Sequence, residues 1–146
     1  MIPETNSLNY SYNKSIGILK GMPKLPEIII KEWENRQRTC ILTTVDPQGN
    51  PNAVYVSCVR KYDESTMIIA DNYFDKTKAN ILSGSKASLL FITKDRKSYQ
   101  IKGSIKLHTS GVYFEDMKSR NPEEMPGHAA AVLSVAEAYS GAKQLL

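Results

Sequence analysis

Residues 99–109, YQIKGSIKLHT, alternate between apolar and polar side chains, and this alternation constrains the fold more than any other segment. One face would carry Tyr99, Ile101, Gly103, Ile105 and Leu107, and the other Gln100, Lys102, Ser104, Lys106 and His108. Because successive side chains of a strand point to opposite faces, the segment is predicted to be an antiparallel strand with one buried face.

Four further segments have the β-branched and aromatic composition that is typical of strands. The first two, TCILTTV (residues 39–45) and PNAVYVSCVRKY (residues 51–62), flank the turn signal DPQGN and are predicted to form a hairpin. The turn DES leads into a third strand, TMIIAD (residues 66–71), and KASLLFIT (residues 86–93) is the fourth. The alternating segment at residues 99–109 is then the fifth strand.

Helices are predicted over LPEIIIKEWENRQ (residues 25–37) and over residues 75–83, which follow the third strand. Ser110 is placed to cap a short third helix that ends near Arg120. The segment HAAAVLSVAEAY (residues 128–139) is ambiguous, because its alanines favour a helix whereas its Val-Leu-Ser-Val centre suits a strand. Propensity alone predicts a helix there. The order of elements indicates a mainly β chain, a small antiparallel barrel with helices at its ends.

The composition bounds the class of protein. The chain has 146 residues, 41% of them hydrophobic, which suits one domain with a core. No apolar run approaches the roughly 18 residues that span a membrane, and the polar start lacks a signal-peptide pattern, so a cytoplasmic protein without membrane contact is predicted. Residues 1–24 show no clear period and are predicted to be a flexible arm, with the domain at residues 25–146.

The charge balance says little about partners. The net charge of +4 permits an anionic partner without naming one. The basic clusters are short and interrupted, so no nucleic-acid partner is predicted.

The segment ADNYFDKTKANIL (residues 70–82) places Lys76 and Thr77 in the first turn of the second predicted helix. The free N–H groups of a first turn attract anions, and Lys76 adds a cation and Thr77 a hydroxyl donor. A phosphate site is therefore one interpretation. The other is an ordinary solvated helix, in which the carboxylate of Asp75 caps the same N–H groups. The local residues leave both interpretations open.

Other chemically conspicuous residues receive ordinary structural interpretations. His108 and His128 lack a companion at metal-ligand spacing, so no metal site is predicted. Cys40 and Cys58 lie inside strand-like runs and are interpreted as buried small hydrophobes. Trp33 is interpreted as a core anchor of the first helix. No catalytic acid, base or nucleophile is predicted.

Three segments in this order, residues 46–63, 66–82 and 99–117, resemble the FMN-binding split-barrel family related to pyridoxamine 5'-phosphate oxidase. The likeness is closest to the small stand-alone FMN-binding members and covers about residues 25–140. Its most specific pieces are DKTKAN after a strand and IKGS in the strand before a helix. The resemblance implies a six-stranded antiparallel split barrel, with AVLSVAEAY as the last strand. It also implies a homodimer that binds two FMN molecules at the subunit interface.

The resemblance further implies which residues contact the flavin ring. Tyr55, Val56 and Ser57 would line the ring and the ribityl chain, although Tyr55 is also interpretable as a half-exposed tyrosine in a cross-strand pair. The residues whose backbone would meet the isoalloxazine edge are Ala70, Asp71 and Asn72.

The remaining implied contacts lie at the phosphate and at the partner subunit. Lys76 and Thr77 match the phosphate-binding pair, and Asn80 matches a position near the ribityl-phosphate end. Gln100 and Lys102 would line the site from the partner subunit.

The leading functional interpretation is an FMN flavoprotein that acts as an oxidoreductase or electron-transfer protein, with NAD(P)H or a redox partner as the candidate donor. The alternative is a non-catalytic module of the same fold that carries FMN, haem or a related cofactor. A nucleic-acid-binding barrel is disfavoured because no aromatic stacking stripe is visible. Whether the chain is an enzyme stays open at this point.

Departures from the oxidases argue against pyridoxamine 5'-phosphate as the substrate. The second predicted strand has Val54 and Tyr55 where the oxidases carry an arginine, and the helix start is Lys-Thr rather than Arg-Lys. Their basic C-terminal substrate segment is expected to be missing, since the sequence finishes YSGAKQLL.

Overall fold

A computed structural model describes residues 21–146 of the chain. Residues 1–20 of the predicted N-terminal arm lie outside the described residues, so its flexibility and the domain boundary stay predictions. In the part of the chain that is described, no helix is long and apolar enough to cross a membrane.

The described chain contains three helices and eight strands. In chain order they are α1 (Glu27–Glu34), β1 (Cys40–Val45), β2 (Pro51–Val56), β3 (Val59–Asp63), β4 (Thr66–Asp71), α2 (Lys76–Leu82), β5 (Lys86–Ile92), β6 (Ser98–His108), α3 (Val112–Arg120), β7 (Ala129–Ser140) and β8 (Lys143–Gln144). All strand pairs are antiparallel. The mainly β split-barrel class is confirmed.

The predicted continuous strand over residues 51–62 is wrong, because it is two strands. β2 pairs with β1 and β3 pairs with β4, at opposite ends of the strand order β2-β1-β5-β6-β7-β4-β3. Only Ser57 and Cys58 separate β2 from β3 in the sequence. The chain therefore passes from one end of the sheet to the other within two residues, which curls the sheet into the barrel. This break and the short β8 account for eight strands where the resemblance implied six.

The ambiguous segment near the end of the chain is a strand. β7 lies between β6 and β4, and its residues Ala129–Leu133 are buried. The helix predicted from propensity is therefore wrong, and the strand implied by the resemblance is confirmed. The physical reason is tertiary context, since β7 satisfies the backbone hydrogen bonds of two neighbouring strands, which its alanine propensity does not reflect.

The capping of α3 also differs from its prediction. The N-cap residue is Gly111 rather than Ser110, and no side chain caps the helix. Gly111 has φ 88°, a left-handed conformation that glycine adopts without steric cost. The chain therefore enters the helix through a glycine conformation and not through a side-chain hydroxyl cap.

The core confirms the alternation from which residues 99–109 were predicted to be a strand. Tyr99 and Ile101 of β6 point into the barrel and are buried. The Tyr99 ring stacks on Phe91 with ring centroids 5.4 Å apart, and Phe91 meets the edge of Trp33 at 5.1 Å. Trp33 and Ile29 are both buried and join α1 to this core, as predicted for Trp33.

The two cysteines differ in their surroundings. Cys40 is buried in the core, and burial raises the pKa of its thiol above the ordinary value. Cys58 is half-buried and lies at the link between β2 and β3. Only Cys40 therefore matches the interpretation of a fully buried hydrophobe.

Gly103 marks a close approach between β6 and β7. The register of the pair shifts between Lys102 and Gly103, and a Cβ atom added at Gly103 would lie 1.8 Å from the Ser134 carbonyl oxygen. Any larger residue would therefore force the two strands apart.

We expect Gly103→Ala to lower the free energy of unfolding by about 1–3 kcal/mol or more, because backbone atoms must move to admit the methyl group. Denaturant titration measures this change. Ser104→Ala is the matched control, because Ser104 is the exposed neighbour on the same strand and its replacement should shift stability by less than about 0.5 kcal/mol. Equal stability of the two variants would contradict the close approach.

Candidate functional site

A cavity of about 300 Å³ lies where β2, the end of β4 and the start of α2 meet. We call it cavity A. Its wall comes from β2 and the Ser57–Cys58 link, from Ala70, from residues 72–77 and from Met125. The closure of the barrel brings these distant segments together, because β2 and β4 lie on different parts of the sheet.

Seven of the eleven predicted site residues line cavity A. They are Tyr55, Val56, Ser57, Ala70, Asn72, Lys76 and Thr77. Tyr55 is 79% exposed, as is Tyr73 at 77%, so two aromatic rings border the cavity with most of their surface free. The half-exposed interpretation of Tyr55 understates this exposure. Two exposed rings beside a cavity form a surface that a ligand or a second subunit would cover.

One end of cavity A carries polar groups suited to an anion. Thr77 is buried, and its Oγ1 accepts a hydrogen bond of 3.1 Å from Asn52 Nδ2. Lys76 is exposed, and within residues 21–146 no carboxylate pairs with it. The Lys76 side chain therefore lines cavity A with no carboxylate partner among these residues. Asn52 was missed from the sequence because it lies 25 residues from Thr77.

The predicted cap of this helix is half right. Asp75 occupies the N-cap position, but its carboxylate makes no hydrogen bond to the helix. Asp75 therefore does not occupy the N–H groups beside Lys76 and Thr77, which removes one objection to a phosphate there.

Asp71 and Asn72 hold the turn and the loop around cavity A. Asp71 is buried, and its Oδ1 accepts the Phe74 N–H at 3.0 Å. Asn72 and Asn121 form a reciprocal amide pair of 2.8 and 3.1 Å, and Asn72 Oδ1 also accepts the Gly127 N–H at 2.9 Å. We call these three bonds the Asn72 latch. The latch fixes residues 121–127 and so brings Met125 to the cavity wall, a contact that no local pattern in the sequence indicates.

The other predicted site residues lie elsewhere in the subunit. Asn80 is buried and donates to Thr44 Oγ1 at 3.0 Å. Gln100 and Lys102 line a separate cavity of about 380 Å³, cavity C, together with Glu137. Lys102 Nζ lies 5.0 Å from the centre of the Tyr139 ring. A single subunit therefore does not bring Gln100 and Lys102 to cavity A.

The hydroxyl group of Tyr139 donates a 3.0 Å hydrogen bond to Glu137 Oε2. This bond favours the protonated phenol and raises the pKa of Tyr139 above its ordinary value. The cross-strand pairs Gln100–Tyr139 and Lys102–Glu137 place these four side chains side by side near cavity C.

A second cavity adjoins cavity A and is lined by three arginines. Cavity B has a volume of about 170 Å³, and Arg38, Arg60 and Arg120 line it. Ser57, Cys58 and Ala70 line both cavities, so the two spaces are neighbours. The arginines come from the α1–β1 loop, β3 and the end of α3, which explains why sequence spacing gave no signal for them.

A family model described as pyridoxamine 5'-phosphate oxidase matches residues 28–145. The chain belongs to this family. The uncharacterized protein MJ0282 of Methanocaldococcus jannaschii is 29% identical over 123 residues, which cover 80% of each protein. The pyridoxine/pyridoxamine 5'-phosphate oxidase of Brucella canis is 33% identical over 76 residues, 51% of this chain and 37% of that enzyme. The match therefore covers little more than a third of the length of the Brucella enzyme.

Solved structures share the fold. HupZ of group A Streptococcus aligns with a TM-score of 0.70 and 24% identity, over 80% of this chain and 93% of HupZ. An FMN-binding protein of Syntrophomonas wolfei aligns with a TM-score of 0.62 and 20% identity, over 91% and 95% of the two chains. HutZ of Vibrio cholerae, described as a heme storage protein, aligns with a TM-score of 0.61 and 18% identity, over 80% and 94%. At these identities the likeness establishes the fold alone.

We expect Asn72→Ala to speed hydrogen exchange of the Gly127 amide by tenfold or more, because the change removes its acceptor and leaves Asn121 unpaired, a loss of about 1–3 kcal/mol. Amide exchange followed by NMR measures this. Glu123→Ala, an exposed change in the same loop, is the control and should leave the Gly127 amide unaffected. An unchanged exchange rate in Asn72→Ala would show that the latch does not hold the loop.

Proposed function

We propose that cavity A binds FMN, with the phosphate at Lys76 and Thr77 and the flavin ring against Tyr55, Val56 and Ser57. The observation that carries the proposal is the gathering of these residues, which come from separate segments, around one cavity. The family membership and the fold shared with an FMN-binding protein support the same ligand. A flavin needs apolar walls, backbone partners for its ring edge and a cation for its phosphate.

The resemblance assigns the ring edge to the backbone of Ala70, Asp71 and Asn72, in which the Ala70 N–H already donates to the Cys58 carbonyl at 2.9 Å and the Asp71 carbonyl accepts the His128 N–H at 2.8 Å. The remaining backbone groups of this segment are therefore the ones proposed to meet the ring. The Asp71 side chain would support these groups indirectly, because its Oδ1 accepts the Phe74 N–H and so stabilises the turn. Asn80 acts indirectly as well, because its side chain donates to Thr44 and so fixes α2 against β1. We therefore propose Asp71 and Asn80 as positioning residues rather than as direct ligands.

We further propose that the functional unit is a homodimer. Cavity A, at about 300 Å³, lies at the small end of the roughly 300–1,000 Å³ range of ligand pockets, and two exposed tyrosine rings border it. A second copy would supply the missing wall. Gln100 and Lys102, which lie away from cavity A in their own subunit, are the residues proposed to come from that copy.

When bound, FMN supplies the redox chemistry, and the residues of the chain bind it, orient it and limit access to it. The proposed activity is that of an oxidoreductase or electron-transfer protein, with NAD(P)H or a redox partner as donor. Cytoplasmic location and the absence of nucleic-acid binding stay predictions. Pyridoxamine 5'-phosphate oxidase activity is not proposed, given the departures in the second strand and at the phosphate site.

A cofactor carrier without turnover is the second candidate. The observation that favours it is the lining of cavity A, which among the described residues contains no histidine, and whose Asp75 and Lys76 side chains form no ion pair with each other. The same lining offers FMN its phosphate cation, whereas for haem the ligating groups are limited to Cys58, Met125 and the tyrosines. FMN is therefore the cofactor proposed for the carrier as well.

We expect the purified protein to be yellow, or to become yellow on addition of FMN, and to release FMN on denaturation. A colourless protein that does not take up FMN would refute both the enzyme and the carrier. Bleaching of the flavin by NADH or NADPH without oxygen, followed by turnover with an added acceptor, would support the enzyme. Stable oxidised flavin under the same conditions would support the carrier.

Light scattering should give the mass of a dimer, and an FMN-loaded monomer would contradict the shared site.

We expect Lys76→Ala to weaken FMN binding by roughly tenfold to a hundredfold, because a hydrogen bond to a charged group contributes about 1.5–3 kcal/mol. Riboflavin, which lacks the phosphate, should lose little affinity. Fluorescence titration with both ligands measures this difference. Lys78→Ala is the matched control, because Lys78 is exposed on the same helix and does not line cavity A. Equal losses for FMN and riboflavin would argue against Lys76 as the phosphate ligand.

A further inference from the structure

Cavity B has an unbalanced charge. Arg38, Arg60 and Arg120 line it, and no acidic side chain among the described residues does. Three arginine side chains around one small space, two of them exposed, give that space a positive potential that an anion would lower. A carboxylate or phosphate group is therefore the chemistry that the cavity fits.

One acidic residue acts on this cavity from outside its wall. Asp116 of α3 has Oδ1 3.3 Å from Arg60 Nη1, and both side chains are largely buried, with 17% and 27% of their surface exposed. The contact neutralises part of the charge of Arg60. Cavity B thus presents fewer effective positive charges than its three arginines suggest.

The contact between Arg60 and Asp116 leaves polar atoms without hydrogen-bond partners. Arg60 Nε and Nη1 and Asp116 Oδ2 are all buried and make no hydrogen bond within the described residues. The two side chains are close enough to attract but are not aligned as a bidentate pair, which is the strong geometry for arginine and carboxylate. The Nε and Nη1 atoms of Arg60 are too deeply buried for a ligand to reach, so the cations of cavity B that a ligand can contact are the exposed Arg38 and Arg120.

We propose that cavity B binds the carboxylate of a small organic acid, and that Asp116 is the specificity-determining residue that disfavours dianionic groups there. The proposal rests on the FMN site in cavity A for its functional meaning, because Ser57, Cys58 and Ala70 line both cavities. A molecule held by its carboxylate in cavity B has its neighbouring atoms beside cavity A. The substrate class is then a monocarboxylic acid or a carboxylate-bearing ligand.

The preference for one negative charge follows from the fixed carboxylate of Asp116. One guanidinium group can donate two parallel hydrogen bonds to a planar carboxylate. Arg120 and Arg38 can each do so, because Asp116 contacts neither of them. A phosphate dianion needs more of the positive charge in the cavity, and its second charge is repelled by Asp116. Removal of the Asp116 charge should therefore help a dianion much more than a monoanion.

The plain structural interpretation is that Arg60 and Asp116 only tie α3 to β3. This interpretation makes a different prediction, because loss of Asp116 would then weaken or leave unchanged the binding of both anions alike. Comparison of two probes that differ only in their anionic group separates the two interpretations.

The experiment titrates the full chain with benzoate and with phenyl phosphate at pH 8, at fixed low ionic strength, with calorimetry as the readout. Asp116→Asn should raise the affinity for phenyl phosphate by about tenfold or more, the effect of a nearby charge, and that for benzoate by less than about threefold. Glu115→Gln removes the same charge from the exposed side of α3 and is the control, with less than about twofold change for either probe.

Equal effects of Asp116→Asn on the two probes, or equal effects of Asp116→Asn and Glu115→Gln, would overturn the specificity role. Arg120→Gln, an exposed substitution, provides an independent variant and should weaken both probes by about tenfold. Unchanged binding in Arg120→Gln, or no binding of either probe to the wild type, would overturn the site itself. FMN titration of the same proteins is scored separately, so failure of cavity A is distinguishable from failure of cavity B.

Discussion

Ser57 and Cys58 carry the chain from β2 to β3, and this two-residue link closes the curled sheet. The Cys58 carbonyl accepts the Ala70 N–H at 2.9 Å, which ties the link to the end of β4. Ser57 and Cys58 line both cavity A and cavity B, so both cavities form at this junction. The position of the candidate site is therefore a consequence of how the barrel closes. The backbone determines where the cavities lie, and the side chains that line them determine their charge and shape.

The distribution of charge around the link supports a site that holds two anionic groups at once. Lys76 lines cavity A, and the three arginines line cavity B. Lys76 has no carboxylate partner within the described residues, whereas Arg60 is partly neutralised by Asp116. The proposed cofactor phosphate and the proposed substrate carboxylate would thus face positive groups that neighbouring carboxylates neutralise to different extents.

Local patterns in the sequence were enough to predict part of this structure. The alternation at residues 99–109 correctly placed the inward face of β6, and the β-rich runs placed β1, β4 and β5. Alternation identifies a strand but not its partner, so the split of residues 51–62 between two ends of the sheet was not predicted. β7 was mistaken for a helix because its burial between two strands outweighs the propensity of its alanines.

The site was predictable only as far as the family resemblance reached. Lys76 and Thr77 stand in a short, recognisable segment, and the structure places both on cavity A. Asn52, Asn121 and the arginines of cavity B lie far apart in the sequence and meet only in the folded chain. Their roles depend on distances that no spacing rule gives.

Amide NMR of the full chain during an FMN titration shows directly whether FMN binds in cavity A. If it does, the largest chemical-shift changes fall on residues 54–58 and 72–77, and the amides of Lys76 and Thr77 change for FMN and much less for riboflavin. Absence of shifts at saturating FMN, or largest shifts at residues remote from cavity A, would contradict it.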